Sequence, residues 1–161
     1  MHTPSLINLY DALWQALQDG MGPQLAAIGA RELDPSAFMI GDPGILAGEA
    51  VCLFYAGTAR PRQAQSWREA NPKFELHLFA MGTTTSELEH RVMQLEYAAL
   101  QVLDADPTLG GLLTTLEAGE SEPVQFGKLQ VGNLVHGLGL PITCQPVNMP
   151  LRPEYTPEGG A

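Results

Sequence analysis

Apolar residues at Leu6, Leu9, Tyr10, Leu13, Trp14 and Leu17 recur at intervals of three and four, the spacing of one helix face. Thr3-Pro4-Ser5 supplies a cap and a helix-compatible proline ahead of them. Gly20, Gly22 and Pro23 predict the stop, because glycine costs conformational entropy and proline removes a donor. Gln24 to Ala30 reads as one short further turn. Asp34 to Gly48, rich in Pro, Gly and Asp, predicts a loop with one brief strand in the apolar run Ala37 to Ile40.

Ala50 to Ala56 is apolar or aromatic at every position, which predicts a strand covered on both faces. The cover comes either from the chain's own core or, in so small a domain, from another subunit. Arg60 to Lys73 is a polar connection. Phe74 to Met81 then alternates, with Phe74, Leu76, Leu78 and Ala80 on one face and Glu75, His77 and Phe79 on the other. The two strands predict an antiparallel hairpin with a long tip.

A second helix begins at one of two capping boxes, Thr84-x-x-Glu87 or Ser86-x-x-Glu89. Leu88, Val92, Leu95, Ala99 and Val102 form its stripe, which Met93, Leu100 and Leu103 widen. Asp104 to Pro107 ends it, since the residue before proline is pushed out of the helical region. Thr108 to Gly111 is a turn, and Leu112 to Leu116 is either a strand or one more helical turn. Leu129 to Cys144 reads as a long strand. It carries Leu134, His136, Leu138, Leu140, Ile142 and Cys144 on one face and Gly137 and Gly139 on the other. The glycines predict a close backbone approach or a bulge, and Pro141 predicts an edge position or a bend. Beyond Gln145, four prolines and a closing Gly159-Gly160 predict an extended arm. The expected organisation is a single domain over residues 1–145 and an arm over 146–161.

Composition narrows the chemistry. Eight Lys+Arg against 18 Asp+Glu leave a net charge of −10, and only 16% of residues are charged. An acidic chain is a poor nucleic-acid binder, because affinity there rests on neutralising phosphates. No run approaches the ~20 apolar residues of a membrane span, and Met1 to Gly20 has no basic region, so neither a membrane segment nor a signal peptide is expected. Cys52 and Cys144 lie on apolar strand faces, where they could be sheet neighbours, and read as buried small hydrophobes. His2, His77, His90 and His136 lack metal-ligand spacing, and His136 reads as a core or interface residue. No nucleophile elbow or phosphate loop is present. Glu117, Glu120 and Glu122 read as a solvated acidic loop. No catalytic residue, metal ligand or cofactor is therefore expected. Arg60, Arg62, Arg68 and Lys73 are four of the eight basic residues and fall in one connection. They form either a solvated hairpin tip or a contact arm for an acidic patch on an adjacent copy, with nucleic acid a further possible target. Together with Val51, Leu53 and Tyr55 of the two-sided strand, they are the candidate partner-contact residues.

The passage from Phe74-Glu-Leu-His-Leu-Phe-Ala through the helix Thr85 to Leu103, the turn Asp106-Pro-Thr-Leu-Gly-Gly111 and the strand ending Leu140-Pro-Ile-Thr-Cys144 resembles the tail terminator (tail-completion) proteins of long-tailed bacteriophages. The likeness covers residues 5 to 145. It implies an α+β fold, a small mixed or antiparallel sheet flanked by two main helices, and no enzymatic activity. It further implies a homohexameric ring in the virion neck, assembled in the host cytoplasm. The ring would cap the tail tube protein, join the head–tail connector protein and pass DNA through its lumen without specific binding. The family has no motif residues to carry over singly. Two alternatives remain: another phage neck or head–tail connector protein, and a ferredoxin-like domain that binds a small ligand in a pocket near His77 or His136.

Overall fold

The computed structural model describes residues 6–40, 48–59, 71–124 and 134–145. The expected cap at Thr3-Pro4-Ser5, the residues Arg60, Arg62, Arg68 and Leu129, and the arm over 146–161 lie outside them.

Helix α1 spans Leu6–Ala27 and buries Leu9, Leu13, Trp14, Leu17, Met21 and Leu25. It runs straight through Gly20, Gly22 and Pro23, where a stop was expected. Packing overrides the local preference: Met21 and Leu25, on either side of the proline, are fully buried, while Pro23 itself faces outward. The helix ends instead at Gly29, whose φ of 70° completes a Schellman cap. In that cap the Ala30 N–H donates to Leu25 O at 2.9 Å and the Gly29 N–H to Ala26 O at 3.0 Å. A 3-10 turn over Pro35–Ala37, capped by the Asp34 side chain on the Ser36 N–H, leads into β1, Phe38–Ile40.

Strands β2 (Ala50–Ala59) and β3 (Asn71–Gly82) pair antiparallel from Ala50↔Phe79 to Ala59↔Asn71, the expected hairpin. Helix α2, Thr85–Ala105, starts where Thr84 Oγ1 accepts the Glu87 N–H, so the first capping box is the one used. The Asp-Pro turn follows. Asp106 accepts the Thr108 hydroxyl at 3.0 Å and the Gly110 N–H at 2.8 Å, which stabilises the left-handed residues Leu109, Gly110 and Gly111. Next come β4 (Thr115–Ala118), β5 (Glu122–Val124) and β6 (Leu134–Gln145). The segment read as one acidic loop thus holds two short strands, and Glu117, Glu120 and Glu122 are all exposed.

The sheet order is β1-β2-β3-β6-β4, with β5 also on β6. Only β1 and β2 run parallel, so the fold is α+β with a mixed six-stranded sheet. Strand β6 is central, contrary to the edge position expected from Pro141. In an antiparallel ladder a residue's N and C=O point to the same neighbour. The Pro141 carbonyl accepts the Gly119 N–H at 2.8 Å, so its nitrogen also faces away from β3. It faces the gap where β4 has ended opposite Ile142 and β5 has not begun opposite Gly139. No bond to β3 is lost.

Both helices lie on one face of the sheet. Their apolar stripes meet Leu76, Leu78, Ala80, Leu140, Ile142 and Cys144 in a continuous core. Gly20 lets the helices approach closely, since a Cβ there would stand 2.7 Å from Val102 Cγ2. Among the described residues, no helix is long and apolar enough to cross a membrane.

Candidate functional site

The candidate partner residues divide by position in the hairpin. Val51 and Leu53 point into the main core and are fully covered by this chain's own helices, so no second subunit is needed to bury them. Tyr55, two residues on, is 49% exposed. Its ring lies 5.9 Å from that of Phe74, and its hydroxyl bonds to that of Thr58. Exposed Lys73 is opposite Gly57, whose φ of 102° marks the bulge that shifts the β2–β3 register. Tyr55 and Lys73 are therefore both near the base of the segment that holds Arg60, Arg62 and Arg68, but on opposite faces of the sheet, Tyr55 on the face of Phe74 and Lys73 on that of Glu75.

The opposite sheet face has a small core of its own, which covers the second side of β2, as its apolar run predicts, and buries Phe79 on the face of β3 read as half-exposed. Ala50, Cys52 and Phe79 are buried there, with Met39, Phe54, Met81, Val124 and Val135 half-buried around them. Gly137 makes this possible: a Cβ there would come within 2.7 Å of both the Phe79 ring and the Val124 carbonyl. His77 packs 4.6 Å from the Phe54 ring and bonds Glu75 Oε1 through Nε2 at 2.8 Å. Cys52 belongs to this face and Cys144 to the other, so the two are not sheet neighbours. Burial pushes the Cys144 thiol up to about 12, leaving it protonated and unreactive at neutral pH.

On the helix side, His136 Nδ1 sits 3.1 Å from Glu89 Oε1, linking β6 to α2. Among the described residues, no three metal-ligating side chains converge. Met93, expected to widen the buried stripe of α2, instead stands 59% exposed near Tyr97 on its outer surface.

A residue the sequence reading missed organises the remaining feature. Arg91 is a buried charge, only 6% exposed. Its Nε and Nη2 grip the Glu49 carboxylate, and Nη1 donates to Arg31 O at 2.8 Å and Gln94 Oε1 at 3.2 Å. Arg31 adds a second guanidinium to Glu49 Oε1 at 3.0 Å, yet its side chain is 71% exposed. Arg31, Arg91 and Gln94 line the side of a cleft of about 530 Å³ between the C-terminal end of α1, the end of β3 and the first turns of α2, with Glu49 behind the two guanidinium groups rather than in its wall. His90, Thr83 and Glu87 complete its polar wall. The signal for Arg91 was its place between Leu88 and Leu95 on the buried stripe.

No family model and no curated protein matches this chain. Among solved structures, it is similar to a chain in the virion of a native gene transfer agent particle, with 17% sequence identity and a TM-score of 0.45. That match covers 82% of this chain and 95% of the other. So loose a superposition leaves the assignment of function to the chain's own features.

Proposed function

We propose that this chain is a structural virion protein, a tail terminator that closes into a hexameric ring, caps the tail tube and presents the surface that joins the head connector. DNA would pass through the lumen, and the reading assigns no reaction and no cofactor to the chain. The observation that carries it is the order of elements, N-terminal helix, loop, long-tipped hairpin, capped helix, Asp-Pro turn and closing strand, the order of the family that residues 5 to 145 resemble, here with the short strands β1 in the loop and β4 and β5 ahead of the closing strand. Two surface features fit subunit packing. The hairpin base displays Tyr55 and Lys73, and the second sheet face gathers half-buried aromatic and methionine side chains around Phe79.

Electron microscopy of the purified protein, with native mass spectrometry in the presence of tail-tube protein, tests the proposal. The expected result is a hollow ring of six copies that binds tube ends. A strict monomer that never binds the tube overturns it. A ring that binds only the connector moves the chain to another position in the neck.

A further inference from the structure

We infer that the Arg31 cleft receives the acidic β4–β5 turn of a second copy, with Glu120 of one subunit meeting Arg31 of the next. This rests on the ring reading above and names the contact that would build it.

The cleft side follows from how the guanidinium groups are used. Arg91 has committed four N–H contacts to Glu49, Arg31 O and Gln94, and it is buried. Among the described residues Arg31 has committed one, to a carboxylate that Arg91 already neutralises. Its remaining donors open to solvent at the cleft mouth, on the same side as exposed His90. Glu87, the carboxylate of the cleft wall, accepts the Thr83 hydroxyl at 3.3 Å. In a chain of net charge −10, the described cations are Arg31, Lys73 and Arg91, and two of these three are in this cleft. A guanidinium with open, planar donors favours a carboxylate, which it binds in two-pronged fashion.

The turn supplies that group in a held geometry. Gly119 is pinned by its N–H to Pro141 O at 2.8 Å, and Ser121 by its hydroxyl to Glu96 Oε2 at 2.7 Å. Between them Glu120 projects into solvent, flanked by exposed Glu117 and Glu122, and none of the three forms an ion pair among the described residues. Both surfaces are therefore rigid before they meet, which lowers the ordering cost of association.

Placement completes the match. Glu49 leads into β2 on one side of β3, whereas the β4–β5 turn hangs on β6, on the other side. Two different patches on opposite sides of one subunit make a head-to-tail contact, the kind that builds rings or open filaments rather than isolated pairs.

Charge reversal tests the contact, since Arg31 and Glu120 are both exposed. Sedimentation velocity and native mass spectrometry of R31E alone, and of E120R alone, should show self-association weakened by on the order of tenfold or more. An equimolar mixture of the two variants should recover assemblies with the two alternating, because each R31E cleft then meets an E120R turn and each unaltered cleft meets an unaltered turn. Single variants that assemble like wild type overturn this contact while leaving the ring reading standing. Loss in R31E without loss in E120R removes the turn as occupant. A wild-type chain that remains monomeric with and without tube ends overturns both.

Discussion

Glu49 accepts from two guanidinium groups, and the deeper of them has no other carboxylate partner among the described residues. Arg91 is 7% exposed in its side chain and Glu49 13%, so their attraction is little screened by solvent. Removing the carboxylate leaves a buried uncompensated cation, a change that costs about 3–5 kcal/mol in comparable settings. Glu49→Gln is accordingly expected to lower stability to urea by that amount, whereas the double variant E49Q/R91M, which removes the stranded charge as well, recovers much of the loss. Urea titrations of the three proteins check this. Nothing local in the sequence announces the pair. The spacing of Arg91 with Leu88 and Leu95 puts it on the buried side of a helix, but its partner lies 42 positions away. The cysteines show the same limit. Alternation placed each on an apolar strand face, and only the register, Cys52 opposite His77 and Cys144 opposite Leu116, shows that those faces are different ones.

Among elements, the well-read ones are those whose signals are local. The α2 cap, the hairpin and the Asp-Pro turn each depend on residues within a few positions of one another. α1 was cut short because glycine and proline were weighed by intrinsic preference alone, while tertiary packing favours continuing the helix. Gly20 is there for the helix it meets. A methyl group at that position would face the stiff, branched side chain of Val102, and overpacking of this kind costs roughly 1–3 kcal/mol. The gain in helix propensity from glycine to alanine is about 1 kcal/mol. Gly20→Ala should therefore destabilise by about 1 kcal/mol on balance, and G20A/V102A should regain the wild-type value or exceed it, as thermal unfolding would report. Pro141 was misplaced for a related reason. A missing donor disqualifies a central strand only if a neighbour is waiting for it, and here the gap between β4 and β5 falls at that residue.

For the molecule as a whole, the long strands and the fold class were legible, while the short strand β5 and the strand order were not. Hydrophobic alternation marks a strand as half-buried without saying which strand lies beside it. The candidate contact surface was legible only in part. Tyr55 and Lys73 reach the surface on opposite faces of the sheet, Val51 and Leu53 do not, and the cleft at Arg31 depends on contacts from three separate stretches of chain. The sheet holds its two faces together through β6, which pairs with β3 over Lys73↔Thr143 to Gly82↔Leu134 and carries β4 and β5 on its far side. A chain ended at residue 133 should lack cooperative unfolding by circular dichroism, since β4 and β5 lose their only described partner and β3 is left with an open edge.

The same central position has a consequence in time. A chain leaves the ribosome from its N-terminus, and units generally fold as they become complete. Here the strand that joins the two halves of the sheet is the last of the described strands to emerge. Until it does, β3 offers a row of unpaired backbone groups to whatever strand is nearby, including one from a neighbouring nascent chain. Every copy must therefore be synthesised through β6 before it is safe from its siblings.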